Sequence, residues 1–95
     1  MLFEWDPEKA RKNLRKHKVS FEMASTVFSD PFHLSIVDPD SAGEERWITV
    51  GRSADQQSLV VIHSETHRTE SGEVLRIISA RKATRKEKAD YEEGI

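Results

Sequence analysis

Beyond a short opening strand, the apolar residues keep a helical spacing as far as Asp30-Pro31 and a period of two after it, until a helix start at Thr84. That change of period orders the chain as helices first, then strands, then a last helix. Leu2-Phe3-Glu4-Trp5 alternates like a strand. Asp6-Pro7-Glu8 supplies a carboxylate cap, a first-turn proline and an acid at the positive dipole end, so a helix runs to about His17. Its apolar face is thin: Ala10 and Leu14, flanked by Asn13 and His17. Ser20 caps a second short helix carrying Phe21, Ala24, Val27 and Phe28, which Asp30-Pro31 ends.

Four strands are expected next. His33 to Val37 precedes an acidic turn. Arg46 to Arg52 places Arg46, Ile48, Val50 and Arg52 on one face and Trp47 and Thr49 on the other. Ser58 to Ser64 holds the unbroken Leu59-Val60-Val61-Ile62 run and reads as the central strand. Glu65 to Glu73 suits an exposed hairpin loop. Val74 to Ala80 puts Val74, Arg76 and Ile78 on one face and Leu75, Ile77 and Ser79 on the other. Thr84-Arg85-Lys86-Glu87 is a capping box opening a helix from Arg85 to about Glu93. The expected fold is α+β, in the order β-α-α-β-β-β-β-α, with a small antiparallel sheet packed by helices on one face. The final helix offers little to bury beyond Ala89, Tyr91 and Ile95.

At 95 residues the chain has room for one domain, spanning positions 1–95, with a thin stability margin. It has no cysteine, which removes disulfides, thiolate metal sites and cysteine nucleophiles. No apolar run is long enough to span a bilayer and no signal peptide opens the sequence, so a cytoplasmic protein without membrane association is expected.

The formal net charge of -2 hides a segregated pattern. Lys9 to Lys18 is a basic block free of acids, and Arg81 to Lys88 is a second, interrupted by Glu87. Acids gather at Asp38 to Glu45, Glu65 to Glu73 and Asp90 to Glu93. Phosphates respond to potential within a Debye length of about 8–10 Å, so local blocks outweigh the sum. The plain alternative is that both are solvated helix faces.

Arg76 interrupts an apolar strand and needs either an anion or a carboxylate, such as Glu45 or Glu65. Arg81 and Lys82 stand before a helix N-terminus, a conflict that a bound phosphate would resolve, and Arg52 would join them if the strands are neighbours. His63, ending the central strand, suits proton transfer near neutral pH or a structural hydrogen bond. His17 is placed to meet the last carbonyls of its helix. His33 reads as a surface strand residue. His63 and His67 are on a strand and a loop, so their spacing gives no metal site. No cofactor is called for. Trp5, Trp47 and Tyr91 have faces suited to stacking on bases, with core packing as the plainer use.

These residues also form a pattern. Phe3-Glu4-Trp5-Asp6-Pro7, Lys9, Asn13, Lys16-His17, Val19-Ser20-Phe21-Glu22, Ala24 and Val27-Phe28-Ser29-Asp30-Pro31 closely resemble the first half of BrnT-family toxins. Glu44-Glu45-Arg46, Gly51-Arg52, Leu59 to His63 and Arg76 to Ala83 resemble the second half. The likeness covers nearly the whole chain; Lys18 replaces a common glycine, and the Thr66 to Ser71 loop is long. The resemblance implies a RelE-like fold and a ribonuclease that inhibits translation. It implies neutralisation by a BrnA-like ribbon-helix-helix antitoxin in a hetero-oligomer that represses its own operon, so that operator DNA is met only through the antitoxin.

Metal-independent cleavage needs a base, an acid and cations around the phosphorane. Arg76 and Arg81 are assigned charge stabilisation and His63 proton transfer, with Glu45 and His17 in reserve. Arg52, Lys82, Arg46 and His17 are assigned to phosphate and RNA binding. The three arginines at 52, 76 and 81 are expected to meet in one pocket. The rival reading is a non-enzymatic nucleic-acid or antitoxin-binding module using the same cations; another is a toxin fold that has lost its activity.

Overall fold

The computed structural model describes residues 1–41 and 45–94; Glu44 and Ile95 lie outside them. Its elements are β1 (Leu2–Glu4), α1 (Pro7–His17), α2 (Phe21–Ser25), a 3-10 turn (Thr26–Ser29), β2 (Leu34–Val37), β3 (Arg46–Arg52), β4 (Ser58–Ser64), β5 (His67–Thr69), β6 (Gly72–Lys82) and α3 (Arg85–Glu93). The architecture is α+β, with six strands in one sheet and three helices among the described residues.

The caps form as the sequence requires. Asp6 accepts from the Glu8 amide, Ser20 from the Met23 amide, and Thr84 and Glu87 make a reciprocal capping box. α1 ends with Lys18 at φ 60°, a left-handed position that explains why glycine suits it better. No helix is long and apolar enough to cross a membrane among the described residues.

The sheet runs β1-β6-β4-β3-β2, with β5 also against β6. Four pairings are antiparallel, but β1 lies parallel to β6, so the sheet is mixed rather than wholly antiparallel. No hairpin ties β1 to β6, because the whole chain intervenes, and its direction is free of the hairpin constraint. The expected loop over Glu65 to Glu73 is a small hairpin whose first arm, β5, pairs with the start of β6.

α1, α2 and the 3-10 turn pack on one sheet face, where Phe21, Ala24, Val27, Leu59, Val61, Leu75, Ile77 and Ala80 form the core. Gly51 allows the 3-10 turn to approach: a Cβ there would sit 2.7 Å from Val27 Cγ1. Burial of the central strand is complete at Leu59, Val60 and Val61 and partial at Ile62.

Two features were not anticipated. The first is a bulge in β6: Ile62 faces Ser79, but His63 faces Ile77, leaving Ile78 as the extra residue. Side-chain parity therefore changes along the strand. Arg76 shares a face with Ser79 and Arg81, while Ala80 joins Leu75 and Ile77 in the core, which corrects the simple alternation expected for Ser79. The second is Asn13, 7% exposed. Beyond the reach of β1, its amide donates to Ala80 O (2.8 Å) and Val19 O (3.0 Å) and accepts from Ala80 N (3.1 Å). The side chain stands in for a neighbouring strand and ties α1 to the sheet.

Candidate functional site

The sheet face away from the core is built by Arg46, Ile48, Val50 and Arg52 from β3, Ser58, Val60, Ile62 and Ser64 from β4, and Arg76, Ser79 and Arg81 from β6. Ile36, Ile48 and Ile62 stand side by side across three strands, with Ile36 exposed. Arginines flank this apolar middle. Arg46 and Arg52 lie six residues apart on one strand, about 20 Å.

At one end a cleft of about 470 Å³ is lined by Lys9, Glu45, Arg46, Ser64, Glu65 and Arg76, with Ile78 at its wall. The Ser64 hydroxyl receives the Arg76 amide at 3.0 Å and anchors the strand just before the bulge. The Arg76 guanidinium pairs with Glu4 at 3.0 Å, in place of the expected Glu45 or Glu65. Parallel pairing sets Glu4 opposite Arg76, a neighbour that the separation in sequence conceals. Both side chains are about half exposed, so this pair remains open to exchange with another anion.

At the other end Arg52, Lys82 and Lys88 share a second cleft with Gln56 and Glu92. Arg81, on the same face, is occupied: its two terminal nitrogens meet the two Glu87 oxygens, each at 2.8 Å. The anion that the helix start and its cations call for is the chain's own carboxylate. Hydrogen bonding from Arg81 holds Glu87 at about 2, against the opposing effect of burial. The Tyr91 hydroxyl donates to Asp30 Oδ2 at 2.5 Å, and the Arg52 amide donates to the same oxygen at 2.8 Å. Thus α3, with no buried residue, is held at both ends by polar contacts. The expectation that Arg52, Arg76 and Arg81 meet in one pocket is not met: they share a face, but Arg76 lies at one end of it and Arg52 and Arg81 toward the other.

His63 lies on the opposite face and is 5% exposed. Its Nδ1–H donates to the Ser64 carbonyl at 2.8 Å, so the neutral ring accepts at Nε2 from the Thr49 hydroxyl at 2.6 Å. Thr49 in turn accepts from Ser35, also at 2.6 Å. Burial pushes the imidazole below its ordinary pKa, with the Ser64 carbonyl acting the other way. Phe28 packs edge-on against the ring at 4.9 Å. His17 is half-buried at the end of α1 and lines neither cationic cleft. His33 precedes β2 rather than lying in it, and its Nδ1–H donates to Asp30 O at 2.7 Å. Trp5 packs edge-on against core Phe21.

The structure therefore brings together Arg46, Arg76 and Glu45, and separately Arg52 and Lys82. Glu65, named with Glu45 as a carboxylate near Arg76, joins the first group, and Lys9 and Ser64 complete it without having been singled out. Lys9 looked like one cation of a helix block, and only the docking of α1 along β6, through Asn13 and Ala80, places it here.

The fold is one of helices against a mixed sheet, and the outer face of that sheet carries arginines at both ends. Residues 5–87 match the family of BrnT, the ribonuclease toxin of type II toxin-antitoxin systems, and the chain belongs to that family. It is similar to the crystal structure of the Brucella abortus ribonuclease toxin BrnT, with a TM-score of 0.61 and 24% identity over 90% of this chain and 100% of that one. No match was found among curated proteins. Family membership implies an antitoxin partner.

Proposed function

We propose that this chain is an endoribonuclease that cleaves RNA without a metal at the Lys9–Arg46–Arg76 cleft. The observation that carries this reading is the gathering of three cations and two carboxylates, Glu45 and Glu65, around one open cleft of a BrnT-family chain. In the proposed reaction a ribose 2′-oxygen attacks the adjacent phosphorus and the bond to the 5′-oxygen breaks. A carboxylate, Glu45 or Glu65, takes the 2′-hydroxyl proton, and the carboxylic acid so formed returns that proton, through water, to the departing 5′-oxygen. Arg46 and Arg76 surround the phosphorane, with Arg76 exchanging Glu4 for the phosphate. Each positioned donor of this kind is worth about 10²–10³-fold in rate.

His63 takes a positioning role in this scheme, because both ring nitrogens are engaged inside the fold. Arg52 and Lys82 guide the RNA strand at the far end, and Arg81 anchors α3. Translation inhibition follows from loss of messenger, and a BrnA-type ribbon-helix-helix antitoxin would neutralise the toxin and carry it to operator DNA.

The test is cleavage of RNA by purified protein in chelator, with products ending in a 2′,3′-cyclic phosphate. Arg46→Ala and Arg76→Ala should each lower the rate about 10²–10³-fold while remaining folded. Binding without products would establish the non-enzymatic module instead, and full activity in both variants would remove this cleft as the site.

A further inference from the structure

Around the end of β4 from the cationic cleft, on the helix-covered face, lies a second cavity of about 320 Å³. Its walls include Phe28, His33, Trp47 and His63, with Met1 and Leu75 adding apolar surface. Ser64 and Glu65 line both this cavity and the cationic cleft, so the two are neighbours across one turn of chain. The register gives the reason: the Arg46–Ser64 pair faces one side of the sheet, and the next pair, Trp47–His63, faces the other.

The cavity also carries polar capacity that the fold leaves unused. The Trp47 Nε1–H is buried and has no acceptor among the described residues. His33 commits its Nδ1–H to Asp30, which leaves Nε2 without a protein partner among the described residues. The volume lies at the small end for ligand pockets and suits a single flat ring system. Aromatic walls and an imidazole acceptor match the face and the edge of a nucleobase, and a small shift of the Trp47 ring would bring its sealed N–H to the same edge as a donor.

We infer that this cavity is a base-recognition subsite, receiving a nucleobase next to the linkage whose phosphate sits at Arg46 and Arg76. The inference rests on the ribonuclease reading for its substrate and adds to it a structural source of sequence preference. Phosphate contacts hold the strand in place, whereas contacts to the base edge discriminate. The buried Thr49–His63 pair keeps the floor of the cavity fixed.

The test uses the full-length, nitrogen-labelled chain, whose indole signals come from Trp5 and Trp47, with Trp47→Phe assigning them. Uridine and adenosine 3′-monophosphates are titrated alongside ribose 5-phosphate and inorganic phosphate. The nucleotides should move the Trp47 indole signal saturably and unequally, while the two sugar or phosphate probes leave it in place. Trp47→Phe, which keeps a ring but removes the N–H, should change the preference among RNA substrates differing at the flanking base roughly 10-fold. If that variant does not fold, through-bond spectra of the doubly labelled native chain assign the two indole signals and the titration of the native chain decides.

A Trp47 signal that responds to ribose 5-phosphate as it does to nucleotides, or to none of them, would overturn the subsite. RNA cleavage with no base-dependent response leaves the proposed function standing and removes only this inference. A base-dependent response in a chain that cleaves nothing does the reverse.

Discussion

Replacing Asn13 with alanine is the most direct probe of how this fold is held. The amide satisfies Ala80 N–H, Ala80 C=O and Val19 C=O at 2.8–3.1 Å, in a position only 7% exposed. Alanine would leave three buried backbone groups without partners, each costing about 1–3 kcal/mol if water stays out. With water admitted to part of the space, a net loss of about 3 kcal/mol is expected. A 95-residue chain has about 5–14 kcal/mol in all. The loss should therefore lower the thermal midpoint by about 12–24 °C. Urea unfolding followed by circular dichroism measures it, with the slope against denaturant checking that the unfolded state is unchanged. Asn13→Asp sharpens the test. At neutral pH its carboxylate would face two carbonyls and should be at least as harmful as alanine. In acid the protonated carboxyl regains a donor, so stability should recover as the pH falls through its raised pKa. A loss below about 1 kcal/mol for alanine, or no acid recovery for aspartate, would refute the idea that this side chain completes the β6 edge.

Two further outcomes follow from the caps. Arg81 holds Glu87 at about 2 in the fold, below its ordinary 4.5, so the pair stabilises the protein fully above pH 4.5 and loses that contribution as the pH falls toward 2. Glu87→Gln should cost about 1–2 kcal/mol at neutral pH after solvent screening, and the gap to the native protein should close in acid unfolding curves; a gap that is constant with pH would contradict the assignment. Lys18→Gly should raise stability by about 0.5–1 kcal/mol in chemical denaturation, because lysine at φ 60° carries a left-handed cost that glycine avoids; a destabilised variant would show that Lys18 makes contacts outweighing that strain.

Local signals made much of this fold legible. Asp6-Pro7, Ser20 and the Thr84–Glu87 box act within one turn of helix, and the alternation in β3 needs only its own residues, so these elements form where the sequence marks them. What escaped was set by partners distant in sequence. The Glu4–Arg76 pair depends on a parallel pairing that no turn announces. Asn13 looks like a polar flank of a thin helix until Ala80 is placed beside it. The bulge at Ile78 leaves no mark in composition, since Ile77-Ile78-Ser79 reads equally well as plain alternation. For the candidate site the consequence was a regrouping: Arg46, Arg76 and Glu45 were recognisable as chemistry-bearing residues, but the company each keeps comes from the register. Arg81 is the clearest case, since its partner was already present three residues into the capping box, and the same carboxylate serves the helix cap and the guanidinium.

The extra residue in β6 has an effect larger than its size. Before Ile78, odd-numbered positions, Leu75 and Ile77, feed the interior; after it an even-numbered one, Ala80, takes over. The strand thus works in two phases, and this lets one continuous eleven-residue segment turn a guanidinium outward on either side of the break without ever sending one inward.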